Sequence, residues 1–200
     1  MTKSHVLFPT GMLSVLLLLT ACQPEPAQKS APVNHAPLPS IAAPPYVCDF
    51  VPLDAVRLIT GVRDPIVRGD FDLTVGQELD GNNYGTGGCW VYDSAGNKPK
   101  VLQISLSPGG SKEQVETEIS QGAKPLPEIV PGAIGNYGQD SSADDTQASA
   151  VLVHGLNRVI VDLWRGVKGR DNEADVVAMM KLVAPKLITD AAPDPENTKD

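Results

Sequence analysis

The stretch "ASAVLVHGLNRVIVDLW", residues 148–164, decides the fold of this chain. Two runs rich in valine and other strand-forming residues surround Gly155, Leu156 and Asn157, and such runs on either side of turn residues are typical of a β-hairpin. The sequence therefore predicts two antiparallel strands joined by a tight turn at these three residues.

A second pair of strands is predicted upstream of this hairpin. The segments "CWVYD" (89–93) and "VLQISLS" (101–107) flank "SAGNKPK", a connection rich in turn-forming residues. In the later strand Leu102, Ile104 and Leu106 alternate with polar side chains, and this period of two places them on one face. We therefore expect a sheet that is buried on one face and wet on the other.

Three segments predict helices. Residues 51–61 have apolar residues at helical spacing and end at Gly61, which suits the position after a helix. Residues 111–122 begin with Ser111, followed three positions later by a glutamine in a capping-box pattern. Residues 170–187 present one apolar face, formed by Val176, Met180, Val183 and Leu187. The order of elements predicts a single α+β domain, in which a largely antiparallel sheet is packed by two or three helices.

The region between residues 62 and 88 has a weaker pattern. "DFDLTV" (70–75) alternates apolar and polar residues, which is compatible with a short strand, whereas "GNNYGTGG" (81–88) predicts a flexible loop. The proline-punctuated stretch "KPLPEIVPGAIGNYG" (124–138) predicts a further loop.

The amino terminus has the features of an export signal. Lys3 precedes an apolar run over residues 11–19, which is shorter than the roughly 20 residues that a membrane-spanning helix needs. The run leads into "LTAC", residues 19–22, which resembles the lipobox of bacterial lipoproteins. In that family the cysteine takes a diacylglyceryl group, the chain is cut before it, and the new amino terminus is acylated. We therefore expect residues 1–21 to be removed and Cys22 to carry the lipid. A plain signal peptide or an uncleaved anchor is the alternative.

Two further segments lack the apolar residues that a core requires. Residues 22–45 form a predicted lipidated tether, in which the many prolines favour extended polyproline II structure. Residues 190–200 are acidic and have almost no apolar side chains beyond two alanines, so they predict a disordered tail. The remaining residues, 46–189, make up the predicted extracytoplasmic domain.

Net charge narrows the range of partners. The chain carries a formal charge of −8, and loss of residues 1–21 removes Lys3 but no acidic residue, which leaves −9. Such a chain is a poor electrostatic match for nucleic acid or for anionic lipid headgroups. We expect no nucleic-acid partner, and contact with the membrane through the lipid on Cys22.

Two cysteines remain once Cys22 has taken the lipid. Cys48 and Cys89 then lie outside the cytoplasm, where disulfides persist. A metal pair would lack further ligands nearby, and a redox pair usually has the spacing C-x-x-C. A structural disulfide is the favoured interpretation, and on the loop-entropy model it stabilises the fold by about 3–4 kcal/mol.

The sequence contains little catalytic or metal-binding chemistry. His154 is the only histidine between residues 46 and 189, and no serine lies in the G-x-S-x-G pattern of a hydrolase. The glycines near residue 85 lack the lysine of a phosphate loop, and the acidic stretches do not match a calcium loop. We therefore predict no catalytic residue, no metal site and no cofactor apart from the lipid. For a small ligand the candidate residues are Trp90, Tyr92 and Trp164.

Several motifs follow one another in a characteristic order. A lipobox and a low-complexity tether precede Cys48 with "VPLDAVRLITG", and then come the strand "GGCWVY", the turn "VPGAIGNYG" (130–138), two strands and a terminal helix. In this order the chain resembles a family of bacterial, mainly actinobacterial, secreted lipoproteins of unknown function. The resemblance covers roughly residues 47–188. It implies an α+β envelope domain closed by Cys48–Cys89, with no assigned catalytic residue.

These observations favour a non-enzymatic binding or interaction module. We expect it to be anchored by lipid in the bacterial cell envelope, where it would act on an envelope protein. In a bacterium with two membranes, Gln23 after the cysteine favours the outer membrane. A small-ligand carrier or sensor with a cleft near Trp90 and Trp164 is the alternative, and a hydrolase dependent on His154 is the least favoured hypothesis.

Replacement of Cys22 by alanine (C22A) is expected to abolish lipid attachment, because the thiol at the end of the export signal is the acceptor. Cells grown on labelled palmitate should label the wild-type chain and leave C22A unlabelled. The variant C48A, which removes a cysteine of the predicted disulfide instead, should take the label normally. Label in C22A would contradict the lipobox.

Overall fold

A computed structural model describes residues 32–79, 82–94, 99–139 and 146–188 of the chain, and for residues 74–79 and 82–84 it describes the backbone alone. The predicted signal segment, Cys22 and the predicted tail 190–200 lie outside these ranges. Among the described residues, no helix is both long and apolar enough to cross a membrane.

The described ranges contain ten strands and three helices. In chain order they are β1 (Tyr46–Val47), β2 (Val51–Pro52), α1 (Leu53–Thr60), β3 (Ile66–Arg68), β4 (Phe71–Leu79), β5 (Asn82–Tyr92), β6 (Lys100–Pro108), α2 (Lys112–Ser120), β7 (Lys124–Pro125), β8 (Ile134–Gly138), β9 (Ala148–His154), β10 (Asn157–Leu163) and α3 (Asn172–Leu187).

The strands of the described residues pair in antiparallel fashion. The main sheet has the order β3-β5-β6-β10-β9-β8-β7, and β4 pairs with β5 on the same side as β3. Strands β1 and β2 form a separate two-stranded ribbon. The predicted α+β domain with a largely antiparallel sheet is confirmed.

The predicted hairpin of residues 148–164 is β9–β10, at the centre of the fold. Asn157 is the first residue of β10 and pairs with His154, so the turn consists of Gly155 and Leu156 alone. Helix α3 packs across both strands, and its predicted apolar face is fully buried. The helix begins at Asp171, whose carboxylate accepts a hydrogen bond from the backbone N–H of Ala174 at 2.9 Å. We call the side of the sheet that carries α1 and α3 the core face.

The opposite side of the sheet, the outer face, carries α2 near β8 and β9. The helix is capped by Ser111, whose hydroxyl accepts from the N–H of Gln114 at 3.2 Å. Val115 is the one residue of α2 that is fully buried, and Asn136 of β8 donates to Glu118 at 2.7 Å. The helix is therefore peripheral, as its narrow apolar stripe predicts.

The prediction of a loop at residues 81–88 was wrong, since residues 82–88 belong to β5 and pair with β4 and β6. Gly87 has a φ of +134°, and a Cβ added there would lie 2.4 Å from the carbonyl oxygen of Asp70. Glycine thus lets the start of β4 approach β5 closely. Glycines also remove the alternation of side chains by which a strand is recognised in sequence.

The loop predicted at residues 124–138 contains the short strands β7 and β8. Strand β3, at residues 66–68, was also not predicted. Each of these strands has five residues or fewer. A run of this length is too short for a period-two pattern to stand out between prolines and glycines.

Cys48 and Cys89 form a disulfide bond, as the sequence favours. Cys89 is fully buried on the core face, where it pairs in register with Ile104. Cys48 lies in the turn between β1 and β2, and Cys48 and Asp49 have φ values of 44° and 72°, a conformation that is costly for residues other than glycine. The bond therefore fixes the β1–β2 ribbon, which continues directly into α1, on β5 at the core face of the sheet.

Residues 32–45, which belong to the predicted tether, contact the domain, and we call them the N-terminal arm. The guanidinium of Arg170 donates to the backbone carbonyls of Asn34 and Ala36, and Leu38 is buried in the core. Arg170 is itself held by a buried ion pair with Asp175, at 2.5 Å. This bond raises the pKa of Arg170 and orients its remaining N–H groups toward the arm.

The double variant C48A/C89A is expected to lose about 4 kcal/mol of stability, because the bond closes a loop between residues 41 positions apart. Urea unfolding, followed by circular dichroism, measures this loss. Reduction of the wild type with dithiothreitol should have a similar effect, and the same treatment should leave the double variant unchanged. A loss below about 1 kcal/mol would show that the bond does not constrain the fold in this way.

Candidate functional site

The outer face of β5, β6 and β10 carries the three aromatic residues that the sequence singles out. Trp90 and Tyr92 are two positions apart in β5, so their side chains leave the same face of the sheet. They pair in register with Gln103 and Lys100 of β6. Trp164 follows β10 directly and is 45% exposed. The structure thus brings the three aromatic side chains to one region, around Lys100.

Lys100 reaches the outer face because of a β-bulge in β6. Val91 pairs with Leu102, whereas the next residue, Tyr92, pairs with Lys100, so Val101 is an extra residue in the strand. Strict alternation from Leu102 would direct Lys100 into the core. With the bulge, Val101 and Leu102 are both fully buried and Lys100 is turned outward. Sequence alternation missed Lys100 as a site residue for this reason.

Lys100 contacts both a polar and an aromatic side chain of the outer face. Its ammonium group donates to Oε1 of Gln103 at 2.6 Å, and it lies 4.7 Å from the centre of the Trp164 ring, a cation–π contact. On β10, Asp162 pairs in register with Gln103, and Ser149 of β9 pairs in turn with Asp162. A row of side chains therefore crosses four neighbouring strands: Trp90, Gln103, Asp162 and Ser149.

Asp162 is the acidic member of this row. Burial raises the pKa of its carboxyl group above the usual range, and the positive charge of Lys100 acts in the opposite direction. Asp162 was not predicted as a site residue. The sequence does distinguish it, because it is the one charged residue within the apolar run "VIVDLW".

Two glycines form the surface against which the Trp90 ring lies. A Cβ added to Gly69 would be 2.4 Å from the indole, and one added to Gly88 would be 3.0 Å from it. These glycines therefore have a packing role, whereas the sequence predicts a flexible loop at Gly88.

Arg68 adds a second cation beside the aromatic side chains. It pairs in register with Trp90, and its guanidinium lies 5.7 Å from the centre of the Tyr92 ring.

Two adjoining clefts extend from Trp164 across the molecule. The first has a volume of about 180 Å³ and is lined by Gln147, Ala148, Ser149, Asp162, Leu163 and Trp164. The second has a volume of about 550 Å³, lies between α2 and β8, and includes the polar residues Glu118, Gln121, Lys124, Asn136, Gln139 and Glu173. Ser149 lines both clefts, so the two clefts adjoin at this residue, and we call them together the outer-face groove.

The charged groups of the second cleft are already paired. Lys124 donates to Glu173 at 2.5 Å, and this hydrogen bond raises the pKa of the Lys124 ammonium group. The carboxylate of Glu118 accepts from the amide of Asn136, a neutral group. The cleft therefore presents hydrogen-bonding groups, and among them the charge of Glu173 is compensated by Lys124.

The residues considered for catalysis and metal binding either lie outside the groove or do not come together among the described residues. Within the described ranges, no three histidine, cysteine, aspartate or glutamate side chains come together to hold a metal ion. His154 shares the alternation of Leu152 in β9, so it belongs to the core face and not to the groove. The outer-face groove places aromatic rings beside hydrogen-bond donors and acceptors, an arrangement suited to binding a ligand.

Comparisons with protein-family models, with curated proteins and with solved structures found no significant match to this chain.

The variant G69A is expected to unfold more easily than G109A. Both glycines have a φ near +90°, so alanine has a similar conformational cost at either position, about 1–3 kcal/mol. At Gly69 the new methyl group would also meet the Trp90 ring and, at 2.2 Å, the carbonyl oxygen of Gly88, whereas the space at Gly109 is open. Urea unfolding should show a difference of at least about 1 kcal/mol. Equal stabilities would mean that the Trp90 ring does not lie against Gly69.

Proposed function

We propose that this protein is a lipid-anchored binding protein of the bacterial cell envelope, non-enzymatic, and that it takes its ligand in the outer-face groove. The observation that carries the proposal is the exposed ring of Trp164 beside Gln147, Ser149 and Asp162 in the groove. An exposed aromatic group beside a few convergent polar groups is characteristic of binding sites.

The envelope location is supported by the amino-terminal sequence and by the disulfide. Residues 1–22 combine a charged start, an apolar run and a cysteine in the order of a lipoprotein signal. The bond between Cys48 and Cys89 belongs to an oxidising compartment. A chain that carries its lipid on Cys22 would remain at a membrane surface and present the groove there.

A small-ligand carrier is the second candidate, and the cleft beside Trp164 is the observation in its favour. The sequence alternative is a cleft near Trp90 and Trp164, and Trp164 lines this cleft whereas Trp90 does not. Its volume of about 180 Å³ is below the roughly 300–1,000 Å³ of sites that enclose a ligand. This size favours a ligand that lies along the surface over one that is enclosed.

A photocrosslinking experiment in intact cells tests the proposed function. The variant Ser105→p-benzoylphenylalanine places the crosslinker on the outer face, beside the residues of the row. The matched control Lys186→p-benzoylphenylalanine places it at an exposed position of α3, on the other side of the sheet. Adducts should form from position 105 in the lipidated chain and disappear in C22A.

The same experiment can contradict the proposal. Equal adduct formation from positions 105 and 186 would show that the outer face is not a preferred binding surface. Adducts from position 105 that persist unchanged in C22A would show that binding does not depend on the lipid anchor.

A further inference from the structure

We infer that the ligand of the outer-face groove is a neutral oligosaccharide chain. The inference rests on the proposed function, because it takes the groove as the binding site and names the chemical class that the groove suits. Three properties of the described residues support it: the extended shape of the groove, the type of its polar groups and the compensation of its charges.

The groove is long in the direction that crosses the strands. It passes from Lys124 on β7 and Asn136 on β8 over Ser149 on β9 to Asp162 on β10. Four neighbouring strands spaced about 4.8 Å apart give a length of about 14 Å. A site of this length suits a chain of several sugar rings better than a single small molecule.

The polar groups along the groove match hydroxyl groups. Amide side chains both donate and accept, as do hydroxyl groups, and carboxylates accept. Each stretch of the groove holds such groups: Gln147, Ser149 and Asp162 beside Trp164, and Gln121, Asn136 and Gln139 beside α2. A polyhydroxylated ligand can therefore find a partner for its hydroxyl groups in every part of the groove.

Trp164 provides the apolar surface that the carbon skeleton of a sugar ring requires. Lys100 lies over the ring, yet 45% of the residue remains exposed. An aromatic ring with an exposed face and polar neighbours can pack against the C–H groups of a sugar while the hydroxyl groups reach the neighbouring side chains.

The charges in the groove disfavour an anionic ligand. Lys124 is paired with Glu173, Glu118 accepts from Asn136, and Lys100 is bonded to Gln103 beside Asp162. An anionic polymer would meet three carboxylates in the two clefts and one lysine that is already paired. A neutral ligand can form hydrogen bonds with these groups without separating the existing pairs.

Calorimetric titration of the full lipidated chain tests the inference. The protein is kept in a detergent without a sugar headgroup, and the probes are maltohexaose, cellohexaose and chitohexaose. At least one probe should bind the wild type, and W164A should weaken that binding about tenfold or more. The control I41A removes a side chain that is 77% exposed and lies in the N-terminal arm, so it should bind as the wild type does.

Further measurements separate a lost ligand contact from a lost fold. Circular dichroism and urea unfolding should be the same for W164A as for the wild type, and D162N, which keeps the shape of the side chain, should weaken binding to a smaller degree. Trp90 remains as a fluorescent reporter in W164A, because the chain has two tryptophans.

Two results would overturn the inference. One is the absence of binding by any of the three probes at millimolar concentration, and the other is binding that W164A leaves unchanged. If Ser105→p-benzoylphenylalanine then forms anchor-dependent adducts with a protein, the saccharide inference fails while the proposed binding function stands.

Discussion

The burial of one face of the sheet beneath α3 is the constraint on which the rest of the structure depends. Side chains of a strand point alternately to the two faces, so packing Val159, Val161 and Leu163 against α3 leaves Ile160 and Asp162 on the other side. A shift of one residue in register would exchange the two sets. The groups that line the outer-face groove are therefore positioned by the packing of the core on the opposite side of the same strands.

Departures from regular strand geometry lie in and beside β5 and β6, next to the groove. The extra residue Val101 turns Lys100 outward, and Gly69 and Gly88 leave room for the ring of Trp90. Each departure positions a side chain on the outer face. In the middle of the sheet, by contrast, β6, β10 and β9 pair in unbroken register. The regular part supports the core, and the irregular part shapes the candidate site.

The sequence predicts those elements whose side chains carry a clear period. The β9–β10 hairpin, β6 and α3 follow their apolar patterns, and the odd number of cysteines, with Cys22 assigned to lipid, leads to the Cys48–Cys89 pair. Glycine-rich β5 gives no such pattern, and its strand character depends on pairing with β4 and β6. The aromatic site residues could be named in advance, but their meeting with Lys100 depends on a bulge that alternation does not encode.

In a chain anchored through lipid on Cys22, as proposed, the N-terminal arm would limit the distance between the groove and the membrane. Because Arg170 and Leu38 hold the arm on the domain, twelve residue steps remain between Cys22 and Asn34, the first arm residue that Arg170 contacts. A fully extended chain spans at most about 3.6 Å per residue, so this segment reaches about 43 Å, against about 80 Å for a segment that ran freely to residue 45. With its lipid on Cys22, the protein would sample a thin layer above the bilayer, and a ligand from farther away would have to enter that layer to meet it.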